Sequence, residues 1–151
     1  MASKKVSKEI STSSLVDVKP ITDNQKIIFE TWKKNKNQFL FGCAGTGKTF
    51  VSLYLALQDV LDLKNPADKV ILVRSLIPTR EIGFLPGDEE DKAALYQVPY
   101  QNMVRFMFQM PNEQSFNNLY DRLKSQGSLY FLSTSFLRGL TFDNAIIIVD
   151  E

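Results

Sequence analysis

Apolar residues recur along this chain in two rhythms, one helical and one extended. Phe50, Leu53, Tyr54, Leu57, Val60 and Leu61 are spaced by threes and fours, which draws one stripe along a helix. That spacing predicts a helix from Gly47 to about Leu63, stopped by Asn65-Pro66. Lys69 to Arg74 carries an unbroken apolar run instead (Val-Ile-Leu-Val). Such a run suits a parallel strand covered on both faces. With a short strand at Asn37 to Phe41 ahead of the helix, the segment reads as a right-handed βαβ unit. Ser128 to Ser133 and Ala145 to Val149 are two further strand candidates.

The remaining helices follow from the same periodicity. Thr22-Asp23-Asn24-Gln25 has the form of a capping box, Thr22 capping and Gln25 reaching back. It opens a helix from Asp23 to about Asn35, with Ile28, Phe29 and Trp32 on one face. Lys92 to Met110 is helical with an interruption at Pro99. Its apolar residues Met103, Val104, Phe106, Met107, Phe108 and Met110 surround most of the helix, which predicts deep burial or a subunit contact. Asn112 to Lys124 buries Phe116, Leu119, Tyr120 and Leu123 and closes at Gly127. Phe136 to Phe142 is a turn or a short helical piece. Residues 75–92 form a long connection centred on Gly83-Phe84-Leu85-Pro86-Gly87-Asp88. The acidic run Asp88 to Asp91 fits either a metal site or, as favoured here, a solvated helix start.

Strands alternating with helices define an α/β fold built on a parallel sheet. Residues 1–19 are polar, rich in Ser and Lys, and read as a flexible tail before a domain over residues 20–151. The chain has 151 residues and a net charge of +1, which argues neither for nor against nucleic acid. No apolar run approaches the roughly 18 residues of a membrane span, and no secretory signal opens the chain. No membrane partner is expected, and the location expected is cytoplasmic. One cysteine and no histidine exclude a disulfide framework and a His/Cys zinc site. Any proton transfer therefore falls to carboxylates.

The chemistry concentrates at Gly42-Cys43-Ala44-Gly45-Thr46-Gly47-Lys48-Thr49. This is the G-x-x-x-x-G-K-[ST] phosphate loop, Walker A. Its glycines let backbone N–H groups converge on an anion, and the following helix adds the positive end of its dipole. Lys48 can reach the β- and γ-phosphates, and the Thr49 hydroxyl can bind Mg²⁺. The apolar strand ending in Asp150-Glu151 reads as Walker B. Asp150 then holds the metal with Thr49, while Glu151 polarises the attacking water. Lys48 and Glu151 are the expected catalytic pair, with ATP and Mg²⁺ as cofactors. Gln25 has two readings, as a helix cap or as an adenine reader, because its amide donates and accepts at once.

These motifs together resemble the PhoH family, the phosphate-starvation-inducible P-loop ATPases of bacteria and their phages. The family loop is typically G-P-A-G-T-G-K-T. Gly83 to Asp88 is the second match, and Lys92, Tyr96 and Pro99 fit the K-x-x-x-Y-x-x-P spacing that often follows it. Arg138-Gly139-Leu140-Thr141 is similar to the family's R-G-R-T, and Asp150-Glu151 to the start of D-E-A-Q. Cys43 and Leu140 depart from that pattern. The resemblance implies a P-loop NTPase fold of RecA/helicase type. It implies a glutamine upstream of the loop contacting adenine, which favours that role for Gln25. It also implies a hexameric ring with ATP at protomer boundaries, Arg138 near a nucleotide or a neighbour, and RNA or DNA as a partner. The setting implied is a bacterial cell or a phage-infected host cytoplasm. The implied strand order is Phe39–Phe41, a gap for a strand later in sequence, Ala145–Val149, Lys69–Arg74, then Ser128–Ser133.

The chain stops on Glu151, with no downstream γ-phosphate sensor or arginine finger in cis. The expectation is an incomplete domain, a fragment or a gene product interrupted at Walker B. The function expected is ATP binding, with Mg²⁺-dependent hydrolysis in the complete protein. Two other readings stay open: a fragment that holds nucleotide without turnover, and part of an RNA or DNA helicase-like motor.

Overall fold

A computed structural model describes residues 10–75 and 89–150. The Gly83–Asp88 segment, Glu151 and the first nine residues of the polar tail lie outside the described residues.

Three parallel strands form the sheet: β1 (Lys69–Arg74), β2 (Leu129–Ser133) and β3 (Ala145–Asp150), in the order β2-β1-β3. β1 is central, with Val70 paired to both Leu129 and Ile146, and Arg74 level with Ser133 and Asp150. That central position explains its unbroken apolar run, since Val70, Ile71, Leu72 and Val73 are all buried. The order of these three strands is the one the family resemblance implies.

Four α-helices accompany the sheet: α1 (Asp23–Trp32), α2 (Lys48–Leu61), α3 (Glu89–Phe108) and α4 (Glu113–Ser125). α2 is the hub of the core. The predicted stripe is buried except for half-buried Phe50, and Val51, Leu55 and Ala56 are buried as well. α1 braces it, the Trp32 indole N–H donating to Asp59 at 2.8 Å. α3 supplies Tyr100, Val104, Met107 and Phe108 to the core, while α4 supplies Phe116, Tyr120 and Leu123. Asn112 caps α4 by accepting from the Ser115 N–H at 2.8 Å.

The structure differs from the sequence expectation in four places. Asn37 to Phe41 forms no strand, and Phe39 and Phe41 are 92% and 93% exposed. A strand needs a ladder partner, and none of the described strands pairs with this segment. α3 runs through Pro99 without a break. Proline forfeits one backbone bond, and the burial of Tyr100, Val104 and Met107 beyond it offsets that loss. Phe106 points away from the core and is exposed, so α3 is not apolar-buried all round. Finally, the expected tail packs from Ile10 onward. Ile10 is buried, Leu15 and Val18 lean on the core, and the Val16 N–H donates to the Met107 carbonyl at 2.8 Å. The Tyr54 hydroxyl completes this seam, donating to the Val16 carbonyl at 3.0 Å and accepting from the Val18 N–H at 3.2 Å. Among the described residues no helix is long and apolar enough to cross a membrane.

Candidate nucleotide site

The glycine loop enters α2 with the geometry its residues permit. Gly45 and Gly47 have φ of +75° and +83°, the left-handed region that other residues adopt only at a cost. Gly47 is the residue that caps α2, so Lys48 begins the helix and Thr49 sits in its first turn. The N–H groups of that turn lack partners within the helix, which leaves them available to an anion. The Lys48 ammonium is folded over the loop, donating to the carbonyls of Gly42 at 2.9 Å and Cys43 at 2.7 Å. The Thr46 hydroxyl donates to the same Cys43 carbonyl at 2.9 Å. Cys43 itself is an exposed free thiol.

Across from the loop stands the end of β3. The Thr49 hydroxyl donates to Asp150 Oδ1 at 2.9 Å, joining residues 101 positions apart in the chain. The fold therefore brings the two expected metal residues into direct contact. A hydroxyl and a carboxylate are hard oxygen donors, the chemistry Mg²⁺ takes. The hydroxyl proton points at Asp150, which leaves the Thr49 oxygen lone pairs for a cation. Among the described residues no cluster of three or more His, Cys, Asp or Glu side chains could form an all-protein cage.

Gln25 reaches back as expected and also makes a contact the sequence reading did not include. Its Oε1 accepts from the Ile21 N–H at 2.9 Å, while its Nε2 donates to the Thr46 carbonyl at 3.2 Å. The side chain thus closes the start of α1, one residue earlier than the capping box predicts, and ties it to the phosphate loop. The Thr22 hydroxyl accepts from the Gln25 N–H at 3.2 Å, the cap that was expected. One amide hydrogen and one lone pair of Gln25 stay available after these bonds.

A residue that sequence reasoning missed is Tyr100. Its hydroxyl donates to Asp150 Oδ2 at 2.7 Å, and the residue is 2% exposed. Burial pushes the phenol pKa well above its ordinary value, and the hydrogen bond and charge of Asp150 push it further, with Arg74 opposing. The Arg74 guanidinium lies 5.7 Å from the Tyr96 ring centre and 5.9 Å from that of Tyr100. Periodicity along α3 marks Tyr100 only as a core position. Its role depends on a residue 50 positions away, which no local pattern encodes. Arg138 is exposed in the connection between β2 and β3.

A parallel sheet, a glycine loop heading the central helix, and an acidic residue at the carboxyl end of a strand make up the α/β architecture of a P-loop NTPase-like domain, present here in part. The chain belongs to the PhoH family: residues 17–151 match the family model described as PhoH-like protein. It is 33% identical over 136 residues to the PhoH-like protein of Synechocystis sp., covering 89% of this chain and 38% of that protein. Protein PhoH2 of Bacillus subtilis is 32% identical over 113 residues, 74% of this chain and 25% of its own length. Protein PhoH of Escherichia coli is 34% identical over 115 residues, 75% of this chain and 30% of its own length. The chain spans between 25% and 38% of the length of these relatives.

Proposed function

We propose that this chain binds ATP with Mg²⁺ through the Gly42–Thr49 loop and Asp150, and that the complete protein hydrolyses it in the cytoplasm. The observation that carries this reading is the Thr49–Asp150 contact beside the glycine loop. Mg²⁺, when bound, supplies charge neutralisation on the β- and γ-phosphate oxygens. Thr49 and Asp150 hold it. The loop amides and Lys48 bind and orient the phosphates, Lys48 exchanging the Gly42 and Cys43 carbonyls for phosphate oxygens. Gln25 has a donor and an acceptor left to meet adenine. Glu151, next along the chain from Asp150, polarises the attacking water.

Binding is tested by titrating a fluorescent ATP analogue with and without Mg²⁺. Lys48→Ala is expected to lower affinity by at least about tenfold, the scale of one lost charge-assisted contact. Unchanged affinity in that variant would count against the loop as the site. Phosphate release under saturating ATP, compared between wild type and Glu151→Gln, then separates hydrolysis from nucleotide holding without turnover. The hexameric ring and the RNA or DNA motor belong to the same proposal through family membership. Nucleic-acid stimulation of hydrolysis, with an affinity that falls as salt rises, is their expected signature.

A further inference from the structure

Asp150 is held by two hydroxyl groups from two different helices, and only one of them belongs to the phosphate loop. We propose that Tyr100 is a positioning residue for Asp150, fixing the carboxylate through which this chain meets Mg²⁺-bound nucleotide. The inference rests on the reading of Thr49 and Asp150 as the metal side of the site.

β3 is an edge strand, paired on one side only among the described residues. Asp150 is its last residue and half-buried. Left alone, a carboxylate there rotates about its side-chain bonds, and a metal ligand that rotates binds weakly. The structure removes that freedom from both sides. Thr49 on α2 donates to Oδ1, and Tyr100 on α3 donates to Oδ2 at 2.7 Å. The two bonds fix the carboxylate plane relative to the head of α2. Each oxygen keeps lone-pair capacity for a hydrated cation. Partners outside the ligand set commonly orient metal ligands in this way.

The phenol is itself immobilised. Its ring packs against Phe131 of β2, with centroids 5.7 Å apart. Arg74 lies on the ring at the same end of the sheet. Val104 and Met107, fully buried on the same helix, anchor α3 in the core. A purely structural tyrosine needs only some acceptor for its buried hydroxyl. Tyr100 takes the one acidic side chain that ends β3.

The test uses the whole chain and four proteins: wild type, Tyr100→Phe, Asp150→Asn and the double variant. The readout is the ratio of ATP-analogue affinities in Mg²⁺ and in EDTA. Tyr100→Phe keeps the ring and its packing, so affinity in EDTA is expected to stay at the wild-type value. The Mg²⁺-dependent ratio is expected to fall about tenfold, the scale for losing a partner that orients a metal ligand. Asp150→Asn lowers the ratio too, and adding Tyr100→Phe to it changes nothing further, because Tyr100 acts through Asp150. The inference is overturned if Tyr100→Phe leaves the ratio within about twofold, or if its effect persists at full size in the Asp150→Asn background. An equal fall in EDTA also overturns it, since that marks a packing role. Wild-type protein that binds no nucleotide, or binds it equally in Mg²⁺ and EDTA, overturns the site reading and this inference with it. A Mg²⁺-dependent wild type matched by Tyr100→Phe overturns the inference alone.

Discussion

Gln25 stands between the cap of one helix and the loop of another, and its contacts separate two roles experimentally. A Cβ at Gly47 would come within 3.3 Å of Gln25 Nε2, at a φ of +83° that costs a non-glycine residue about 1–2 kcal/mol. Gly47→Ala is therefore expected to lower the melting temperature and displace Gln25 together. Gln25→Ala removes the links to Ile21 and Thr46, each a neutral hydrogen bond worth about 0.5–1.5 kcal/mol. If the amide reads adenine, Gln25→Ala lowers ATP affinity several-fold and leaves GTP affinity unchanged. If it only braces the loop, both fall alike; competition titrations with the two nucleotides decide. At this scale the sequence is legible where a motif fixes spacing. Gly42 to Thr49 lie within eight consecutive positions, and the loop geometry follows from the glycines. Gln25 to Thr46 and Tyr100 to Asp150 are contacts across 21 and 50 positions, and no periodicity announces them.

Elements are legible when their pattern reports local packing, and obscured when it depends on a neighbour. β1 has the bounds its apolar run predicts, because a strand flanked on both sides shows its burial in its own residues. The segment at Asn37 to Phe41 has a comparable apolar character but forms no strand, since pairing is a property of two segments. Ile10, Leu15 and Val18 form no periodic stripe among the polar residues around them, although they pack against the core. α4 offers a measurable consequence of such packing. Burial raises the Tyr120 phenol pKa, with a hydrogen bond from Gln101 opposing. The fold thus favours the neutral phenol over its unfolded value near 10. Stability from this group is fully present below pH of about 10 and is lost as pH rises through the raised value. The denaturation midpoint is expected to hold steady from neutral pH to about 9 and to fall above about 10. Tyr120→Phe is expected to reduce that alkaline fall, with the raised phenol of Tyr100 accounting for part of what remains. Ultraviolet titration alongside denaturant melts checks both outcomes.

Among the described residues both outer strands of the sheet, β2 and β3, pair on one side only. β3 pairs with β1 alone, so its outer edge presents unpaired N–H and C=O groups among the described residues. On one face of the sheet the outer strands expose apolar side chains, Tyr130 by 45%, Ile147 by 48% and Val149 by 72%, while Ile71 and Val73 of central β1 are buried. These three residues stand on the same face as Ile71 and Val73, since Ile71 is level with Tyr130 and Ile147, and Val73 with Val149. Phe39 and Phe41 add further exposed apolar surface. An apolar parallel strand with a free edge is a template for pairing with another copy. The chain in isolation is therefore expected to associate as its concentration rises, and only weakly in response to salt, because the driving surface is apolar rather than charged. Light scattering across a concentration series reads this directly. Ile147→Lys and Val149→Lys each place a charge on the exposed face without touching Ile146 or Ile148, which lean on the core. Both are expected to reduce association while leaving the Mg²⁺-dependent nucleotide affinity at Thr49 and Asp150 intact. A monomer at every concentration that melts cooperatively would mean that the open edge is inert. Association that the lysine variants fail to weaken would shift the contact to Phe39 and Phe41, which are also exposed.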